Sequence, residues 1–291
     1  MDRDKLTFIA GAFIFFTIGI LAQPLMSQDL SLPVLYHSND DSFLVIAHRG
    51  ASAQYPENTM PAFKGAVEME AEMIELDVMM SSDGVPVVFH DARLDDHSDG
   101  KGLLKDYTLR ELRTLDVGSW FSEQYRGEKM PTLEEAIEFA SGKIALNIEI
   151  KTEAVSDELH GGVEEKSLEL VKKYGMEDHV IFSSFDYRAL EHLKKLDPAI
   201  PVALLYNRSE SENMSPLELV RKYGVDAFNC SYNQFKKKWS RELKEHNIPH
   251  FIYTVDQPRR MRRLLSAEVS GIFTNKPDLL KEVATEFQEK E

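Results

Sequence analysis

The sequence has little cysteine and comparatively few basic residues. Cys230 is the one cysteine among 291 residues, so neither an intrachain disulfide nor a cysteine-based metal cage can form. The 34 Lys and Arg residues are outnumbered by 49 Asp and Glu residues, which gives a net charge of −15. This charge argues against nucleic acid as a partner, because phosphate backbones need a basic face. A small phosphate ester is still compatible with it, since a metal ion and one or two local cations can reverse the field at a site.

The sequence has one long uncharged stretch, near the N-terminus. Residues 6–22 carry no charge, and as a helix they would span about 25 Å, at the short end for crossing a bilayer. Arg3 and Lys5 precede the stretch, which favours a cytoplasmic N-terminus and a main domain on the extracytoplasmic side. We therefore expect a single-pass transmembrane anchor. A cleaved signal peptide, whose cleavage pattern residues 20–22 match poorly, and a buried core helix are the alternatives.

From residue 43 on, short apolar runs alternate with amphipathic helical segments. The runs are rich in Val, Ile and Phe and mostly continuous, as expected of parallel strands that are buried on both faces. Eight such runs with helices between them predict an α/β fold of the (β/α)₈ TIM-barrel type, with a doubly wound open sheet as the alternative. The runs are residues 44–47, 73–78, 144–150, 180–185, 202–206, 227–230, 251–255 and 271–274.

One pair of runs breaks the alternation. Only three residues separate 73–81 from 85–90, whereas a parallel crossover needs about a dozen residues. Asp83-Gly84 is a strong signal for a two-residue hairpin turn, so the second run is predicted to fold back beside the first. In that register Asp77 lies opposite His90, with the Cβ atoms about 5 Å apart.

These features divide the chain into segments. We expect a membrane anchor over residues 1–25, a polar linker over 26–42 and the barrel over 43–281, followed by a charged tail over 282–291. Residues 91–130 have no long apolar period and are predicted to form an inserted excursion near the mouth of the barrel.

Polar side chains stand where the first strands end, and active sites of this barrel lie at those ends. Residues i and i+2 of a strand share a face, so the three acidic side chains are expected to point into one lumen. They would repel one another unless a cation lies among them. Oxygen ligands alone favour one divalent ion of the hard type, Ca²⁺ or Mg²⁺, over zinc. The three carboxylates are Glu75, Asp77 and Glu149.

Two cations and two histidines belong to the same strand ends. Arg49 suits two-point contact with phosphate oxygens, and Lys151 shares a face with Glu149. His48 and His90 come from different strands, and with a metal ion they fit acid–base cleavage of a phosphate ester. The other seven histidines, including the one at position 97, are predicted to be structural or surface groups.

Six short motifs occur in order along the chain. They are Ala47-His48-Arg49-Gly50, Tyr55-Pro56-Glu57-Asn58-Thr59, Glu75-Leu76-Asp77-Val78, Val87-Val88-Phe89-His90-Asp91, Pro131-Thr132-Leu133-Glu134-Glu135 and Asn147-Ile148-Glu149-Ile150-Lys151. Together they resemble the signature of the glycerophosphodiester phosphodiesterases, over about residues 45–278.

The resemblance implies a TIM barrel with a family-specific insertion. It implies metal ligation by Glu75, Asp77 and Glu149, with Glu57 as an additional candidate. It further implies that the histidines are the acid–base pair and that the two cations bind the substrate phosphate. The pair is His48 and His90, and the cations are Arg49 and Lys151.

Two stretches near the C-terminus depart from the family pattern. Tyr253-Thr254-Val255-Asp256 stands where Trp-Thr-Val-Asn is frequent, and Thr274-Asn275-Lys276-Pro277 stands where Thr-Asp-x-Pro is usual. Tyr253 is expected to line the substrate pocket, with core packing as the alternative. Both departures concern the pocket or its support rather than the metal ligands, so they bear on substrate shape more than on activity.

The function expected from the resemblance is metal-dependent hydrolysis of glycerophosphodiesters to an alcohol and glycerol 3-phosphate. His90 is assigned as the acid and His48 as the base, and the reverse assignment stays open. A lysophospholipase D that acts on membrane lysophospholipids is the first alternative, and a non-catalytic barrel is the second.

Overall fold

A computed structural model describes residues 43–289. Eight parallel strands form a closed ring, in which the first strand along the chain pairs with both the second and the last. A closed ring excludes the doubly wound open sheet and confirms the predicted barrel. The eight ring strands are β1 (Leu44–His48), β2 (Met73–Met80), β4 (Ala145–Ile150), β5 (Val180–Ser184), β6 (Val202–Leu205), β7 (Ala227–Ser231), β8 (His250–Tyr253) and β9 (Gly271–Thr274). The ninth strand, β3 (Pro86–Val88), pairs antiparallel with the end of β2.

Helices follow the barrel strands and pack around the ring. Their inward faces and the outward faces of the strands form one large apolar core, as expected for strands covered by helices. Among residues 43–289, no helix is both long and apolar enough to cross a membrane, and the predicted anchor and linker lie outside the described residues. The helices are α1 (Met60–Glu68), α2 (Leu109–Leu112), α3 (Leu133–Ala140), α4 (Val163–Lys173), α5 (Tyr187–Leu196), α6 (Pro216–Tyr223), α7 (Lys237–Glu245), α8 (Pro258–Leu265) and α9 (Pro277–Gln288).

The helix ends follow local sequence signals. Thr132 and Ser215 each accept a hydrogen bond from the third backbone N–H of their helix, and Glu135 and Glu218 complete the two capping boxes. Such caps satisfy N–H groups that have no partner within the helix. Gly224 ends α6 in the left-handed conformation, with φ of 61°, which a glycine adopts without steric cost.

The lumen of the barrel is apolar at its lower end and polar at its mouth. The strands begin with inward-facing apolar side chains that form a second cluster, so the lower lumen is a packed core rather than a pore. Because side chains alternate along a strand, positions two and four residues further on face the mouth. In β2 this sequence of inward positions is Met73, Glu75 and Asp77.

The β2–β3 hairpin forms, but the predicted register is wrong by one residue. Val78 pairs with Val88, and the N–H of Phe89 donates to the carbonyl of Asp77 at 3.0 Å. Asp77 therefore lies beside Phe89 and not opposite His90. A shift of one residue exchanges the two faces of a strand, so the position beside Asp77 falls to Phe89, which packs in the apolar cluster of residues 79–130.

The turn explains the different register. It contains three residues rather than two, because the N–H of Ser81 donates to the carbonyl of Val85 at 3.0 Å. Gly84 closes the turn at φ of 77°, and the Ser81 hydroxyl accepts from the Val85 N–H at 2.9 Å. A three-residue loop that ends on a left-handed residue is a common hairpin connection. The Asp-Gly pair is thus the end of a longer turn.

The excursion after β3 has a small core of its own. Its apolar side chains pack against Met79, Val87 and Phe89 of the hairpin. This packing holds the excursion beside the mouth of the barrel. At the other end of the chain, α9 continues to Gln288 and buries Val283. The segment that we predicted as a charged tail from residue 282 therefore begins inside a packed helix.

Candidate active site

Three carboxylates converge at the mouth of the barrel. Carboxylate oxygens of Glu75, Asp77 and Glu149 all lie within 4.8 Å of one another. Asp77 and Glu149 are direct neighbours in the β2–β4 register, and Glu75 precedes Asp77 by two residues on the same face. Glu75 is 3% exposed and Asp77 is 1% exposed. Among residues 43–289 this is the one group of acidic, histidine or cysteine side chains with the spacing of a metal site.

Lys151 lies between two of these carboxylates. Its Nζ is 2.8 Å from Glu149 Oε1 and 3.2 Å from Asp77 Oδ1. Burial alone would lower the pKa of Lys151, but the two carboxylates raise it above its ordinary value. The lysine therefore stays charged and offsets part of the negative charge of the cluster.

Arg49 approaches the cluster from the end of β1. Its Nε lies 3.2 Å from Asp77 Oδ2, as an ion pair without the angle of a hydrogen bond. Its backbone N–H donates to Glu75 Oε2 at 2.8 Å, and its Nη1 donates to Glu57 Oε1 at 2.8 Å. Glu57 is thus bound by the arginine and does not belong to the group of three carboxylates. Its additional role as a ligand stays a prediction.

The pKa values of Glu75 and Glu149 are raised, whereas that of Asp77 is lowered. Burial raises the pKa of Glu75 well above its ordinary value, and the charges of Asp77 and Glu149 raise it further. Burial and the Asp77 charge raise the pKa of Glu149 to about 7, although Lys151 opposes the shift. Burial would raise the pKa of Asp77 as well, but Lys151 and Arg49 hold it well below its usual range. The raised pKa values of Glu75 and Glu149 mean that the three carboxylates resist being ionised together without a further cation, which suits a divalent ion.

The donor set fits a hard metal ion. Three carboxylates from two adjacent strands supply oxygen ligands, which Ca²⁺ and Mg²⁺ prefer. Two of these groups have raised pKa values, so a cation would displace protons when it binds. Glu75, Asp77 and Glu149 would hold it.

His48 stands on one side of the cluster. Its Nε2 is 4.0 Å from Glu75 Oε2, and its Nδ1 is 2.7 Å from Asn275 Oδ1. Burial, with the charge of Arg49, lowers the pKa of His48 to about 4. The ring is therefore neutral near pH 7 and carries a lone pair on one nitrogen.

His90 lies at the same mouth, near enough to interact electrostatically with both His48 and Asp77. Its Nδ1 is 2.6 Å from Asp91 Oδ1, and the other oxygen of Asp91 is 2.5 Å from His97 Nδ1. Burial opposes ionisation of Asp91, but both histidines bond to it and lower its pKa. Asp91 thus joins a predicted site residue to His97, which we had predicted as a structural or surface group.

Asn58 is a second contact that the sequence reasoning missed. Its Nδ2 donates to Asp77 Oδ2 at 2.8 Å, and its Oδ1 accepts from the Asp77 N–H at 3.2 Å. The residue has φ of 57°, a conformation that asparagine tolerates better than most residues. Asn58 directly follows Glu57 in one of the six motifs, and this position was the sequence signal that could have indicated a role in the site.

Tyr253 lies at the end of β8, on the wall of the lumen. Its ring centroid is 6.0 Å from that of Phe185 and 6.2 Å from that of Phe273, with the rings nearly perpendicular in both pairs. Burial raises the pKa of its hydroxyl. The ring therefore packs on the upper lumen and forms part of the wall beside the carboxylates.

The amino-acid sequence of the chain is similar to those of known proteins. The family model of the glycerophosphoryl diester phosphodiesterase family matches residues 48–279. The chain is 40% identical over 238 residues to a glycerophosphodiester phosphodiesterase of Caldanaerobacter subterraneus, covering 81% of this chain and 96% of the relative. It is 37% identical over 259 residues to a glycerophosphodiester phosphodiesterase of Bacillus subtilis, covering 84% and 87%.

A solved structure extends the likeness to three dimensions. It is that of an Oleispira antarctica phosphodiesterase in complex with the product sn-glycerol-3-phosphate. The two chains are 30% identical, with a TM-score of 0.76 over 82% of this chain and 96% of the other. The predicted family and enzyme class are thereby confirmed, and the chain belongs to the glycerophosphoryl diester phosphodiesterase family.

Proposed function

We propose that this protein hydrolyses glycerophosphodiesters to an alcohol and glycerol 3-phosphate with the help of one divalent cation. The observation that carries the proposal is the group of three buried carboxylates, whose oxygens lie within 4.8 Å of one another beside two histidines. The Oleispira antarctica relative, which binds sn-glycerol-3-phosphate, supports the choice of substrate class. When bound, the cation would offset negative charge on the phosphate group.

The two histidines divide the proton transfers. His48 is neutral near pH 7, because its pKa is lowered to about 4, and it takes the proton from the attacking hydroxyl. His90 donates through Nδ1 to the Asp91 carboxylate and gives a proton to the leaving alkoxide. One phosphorus–oxygen bond forms as the other breaks. The attacking group is the neighbouring hydroxyl of the substrate, which benefits from proximity and gives a cyclic phosphate that water then opens.

Arg49 and Lys151 bind phosphate oxygens in this scheme. Both are charged, since the pKa of each is raised by the neighbouring carboxylates against the opposing effect of burial. Their carboxylate partners are the proposed metal ligands Asp77 and Glu149 together with Glu57. With a cation held by Asp77 and Glu149, these ion pairs would be weaker, and Arg49 and Lys151 would be available to the substrate phosphate.

Product analysis tests the reaction. The purified protein is incubated with glycerophosphocholine in Ca²⁺, Mg²⁺ or Mn²⁺, and with EDTA, and the released choline and glycerol 3-phosphate are quantified. We expect turnover with at least one ion and none with EDTA. Glu75→Gln should abolish turnover, whereas Glu169→Gln on the exposed face of α4 should not. Absence of turnover with all three ions would favour a non-catalytic barrel.

A lysophospholipase D activity at the same site is the second candidate. The rim beside His97 is aromatic: Trp120 is 38% exposed and its ring contacts His97 at a centroid distance of 4.5 Å. Phe121, Tyr125 and Tyr55 continue the contacts toward the loop after β1. This aromatic surface, of which Trp120 is the exposed part, offers a place for an acyl chain.

Comparing two substrates separates the candidates. Initial rates are measured with glycerophosphocholine and with lysophosphatidylcholine, for the wild type and for Trp120→Ala. The second candidate requires turnover of the lysolipid and a selective loss of that turnover in Trp120→Ala. Turnover of glycerophosphocholine alone, unchanged by the substitution, would refute it.

We further propose that residues 6–22 anchor the protein in a membrane, with the barrel on the extracytoplasmic side. The support is the uncharged composition of that stretch and the preceding Arg3 and Lys5. The full chain should sediment with membranes and resist extraction by high salt, while a chain that begins at residue 43 should stay in the supernatant. Equal distribution of both chains would contradict the anchor.

A further inference from the structure

We propose that Asp256 and Asn275 act as positioning residues that select the tautomer of His48. The proposal rests on the proposed function, in which His48 is the base. It concerns the far side of the ring, away from the carboxylate cluster. Asp256 follows β8, Asn275 follows β9 and His48 ends β1, so three strands that are neighbours in the closed ring supply one chain of hydrogen bonds.

The Asp256 carboxylate is bound on both oxygens. Its Oδ1 accepts from the backbone N–H of Asn275 at 2.8 Å and from the Thr274 hydroxyl at 3.0 Å. Its Oδ2 accepts from Nδ2 of Asn275 at 2.8 Å. A carboxylate offers only acceptors, so the amide nitrogen of Asn275 is the atom that must face it.

The orientation of Asn275 then decides the proton position on His48. With Nδ2 directed at Asp256, the amide oxygen faces the histidine, and His48 Nδ1 lies 2.7 Å from it. The Ser52 hydroxyl lies 2.9 Å from the same oxygen. An amide oxygen can only accept, so Nδ1 of His48 must carry the proton. The lone pair is therefore on Nε2, the nitrogen on the side of Glu75.

A purely structural role is the alternative. The same residues tie the loop after β1 to β9, because the N–H of Ala53 donates to the carbonyl of Asn275 at 2.9 Å and the Ser52 hydroxyl donates to the carbonyl of His48 at 2.8 Å. If holding the loop were their only task, substitutions would lower stability without changing which nitrogen of His48 bears hydrogen. The tautomer separates the two roles.

Asp256→Asn makes the sharpest test. The new amide oxygen would keep accepting from the Asn275 N–H and the Thr274 hydroxyl, which leaves an NH₂ group facing Nδ2 of Asn275. Two donors cannot pair, so Asn275 is expected to turn over and present Nδ2 to His48. The proton of His48 would then move to Nε2, and the base would lose its lone pair on the side of the site.

Nitrogen NMR of metal-free protein with ¹⁵N-labelled histidine reads the tautomer directly. The His48 signals are assigned by their loss in His48→Ala. We expect protonated Nδ1 in the wild type and protonated Nε2 in Asp256→Asn. In the catalytic assay kcat should fall about 10²-fold, in the range of a lost acid–base group, with KM little changed. Asp226→Asn, which disturbs an aspartate bound to the Val202 N–H and Lys194, should leave both readouts unchanged.

The reciprocal exchange is the rescue. In Asp256→Asn combined with Asn275→Asp, the new amide donates to the new carboxylate, whose second oxygen accepts from Nδ1 of His48. Protonated Nδ1 should return together with part of kcat, because the new carboxylate restores the tautomer but also favours the charged ring. Protonated Nδ1 retained in the folded single variant, or protonated Nε2 in the folded double variant, would overturn the proposal. Because the NMR measurement needs no substrate, an inactive wild type would refute the proposed function and leave this inference open to the same test.

Discussion

At the scale of single residues, the two histidines differ in the charge of the group bound at Nδ1. His48 faces the neutral amide of Asn275, whereas His90 faces the carboxylate of Asp91. A neutral partner favours the neutral ring that a base requires, and a charged partner suits a group that hands on a proton. The surroundings therefore support the assignment of His48 as base and His90 as acid.

Removing either imidazole should stop the reaction without removing the metal site. We expect His48→Ala and His90→Ala to lower kcat by about 10²–10⁴-fold. Binding of Ca²⁺ or Mg²⁺, measured by calorimetry, should persist, because the carboxylate oxygens are untouched. His246→Ala, at an exposed helix end, serves as the control. Full activity in His48→Ala or in His90→Ala would remove that residue from the mechanism.

Metal affinity should depend on pH in a defined direction. Burial and Asp77 raise the pKa of Glu149 to about 7, and the pKa of Glu75 is raised as well. Protons therefore compete with the cation below about pH 7, so the metal affinity should fall as the pH drops from 7 toward 5. Calorimetry in buffers of different ionisation enthalpy would show proton release on binding. An affinity that is the same at pH 5.5 and 7.5 would contradict this picture.

At the scale of elements, the loop between β1 and α1 carries the site and depends on close packing. Arg49 has φ of 55° and Gly50 has φ of 80°, so two successive residues adopt the left-handed region. A Cβ on Gly50 would lie 2.6 Å from the backbone carbon of Ala62 in α1. The helix therefore approaches the loop as closely as a glycine permits, and Arg49 is held where its N–H reaches Glu75.

Gly50→Ala should damage both the fold and the site. The clash with α1 and the strained φ together should lower the free energy of unfolding by about 2–4 kcal/mol. Gly142→Ala is the matched control, since Gly142 has φ of 69° with nothing within 4 Å of its added Cβ, and it should cost about 1 kcal/mol. Urea unfolding measures both. Equal losses in the two variants would mean that close packing against α1 is unimportant.

At the scale of the whole molecule, the buried acidic cluster makes stability depend on cations. Folding raises the pKa of Glu149 to about 7. Its contribution to the free energy of unfolding is therefore fully present below its ordinary pKa and is lost as the pH rises through about 7. Folding lowers the pKa of Asp77. Its contribution to the free energy of unfolding is therefore present at pH values above its ordinary pKa and is lost in strong acid. Above about pH 7 Glu149 is ionised beside the charge of Asp77 in the metal-free barrel, and a bound divalent ion would offset that repulsion.

Adding a divalent ion should raise the melting temperature. At one hundred times its Kd, a ligand stabilises by about 2.7 kcal/mol, which corresponds to roughly 5–10 °C for a domain of this size. Calorimetric scans at pH 7.5 with EDTA and with Ca²⁺ or Mg²⁺ measure the shift. Glu75→Gln should reduce it strongly. A shift of the same size in that variant would place the ion elsewhere.

Features that depend on a few neighbouring residues could be predicted from the sequence, whereas the register of the hairpin could not. The eight strands, the helix caps and the inward position of Glu75 and Asp77 follow from periods and signals that act over a few residues, and those were readable from the chain itself. The register of the hairpin was misjudged, because a three-residue turn and a two-residue turn share the same Asp-Gly pair and differ in their hydrogen bonds.

What the amino-acid order determined by itself was the set of local structures and the chemical types gathered at the strand ends. What only the tertiary structure decided was which groups meet: His97 with Asp91, Asn58 with Asp77, and Asn275 with His48 across 227 positions of sequence. Local signals cannot report such pairs, since each depends on turn geometry or on the last strand closing against the first. The physical reason is that a hydrogen bond requires a distance near 3 Å and a direction, and both are set by the closed barrel.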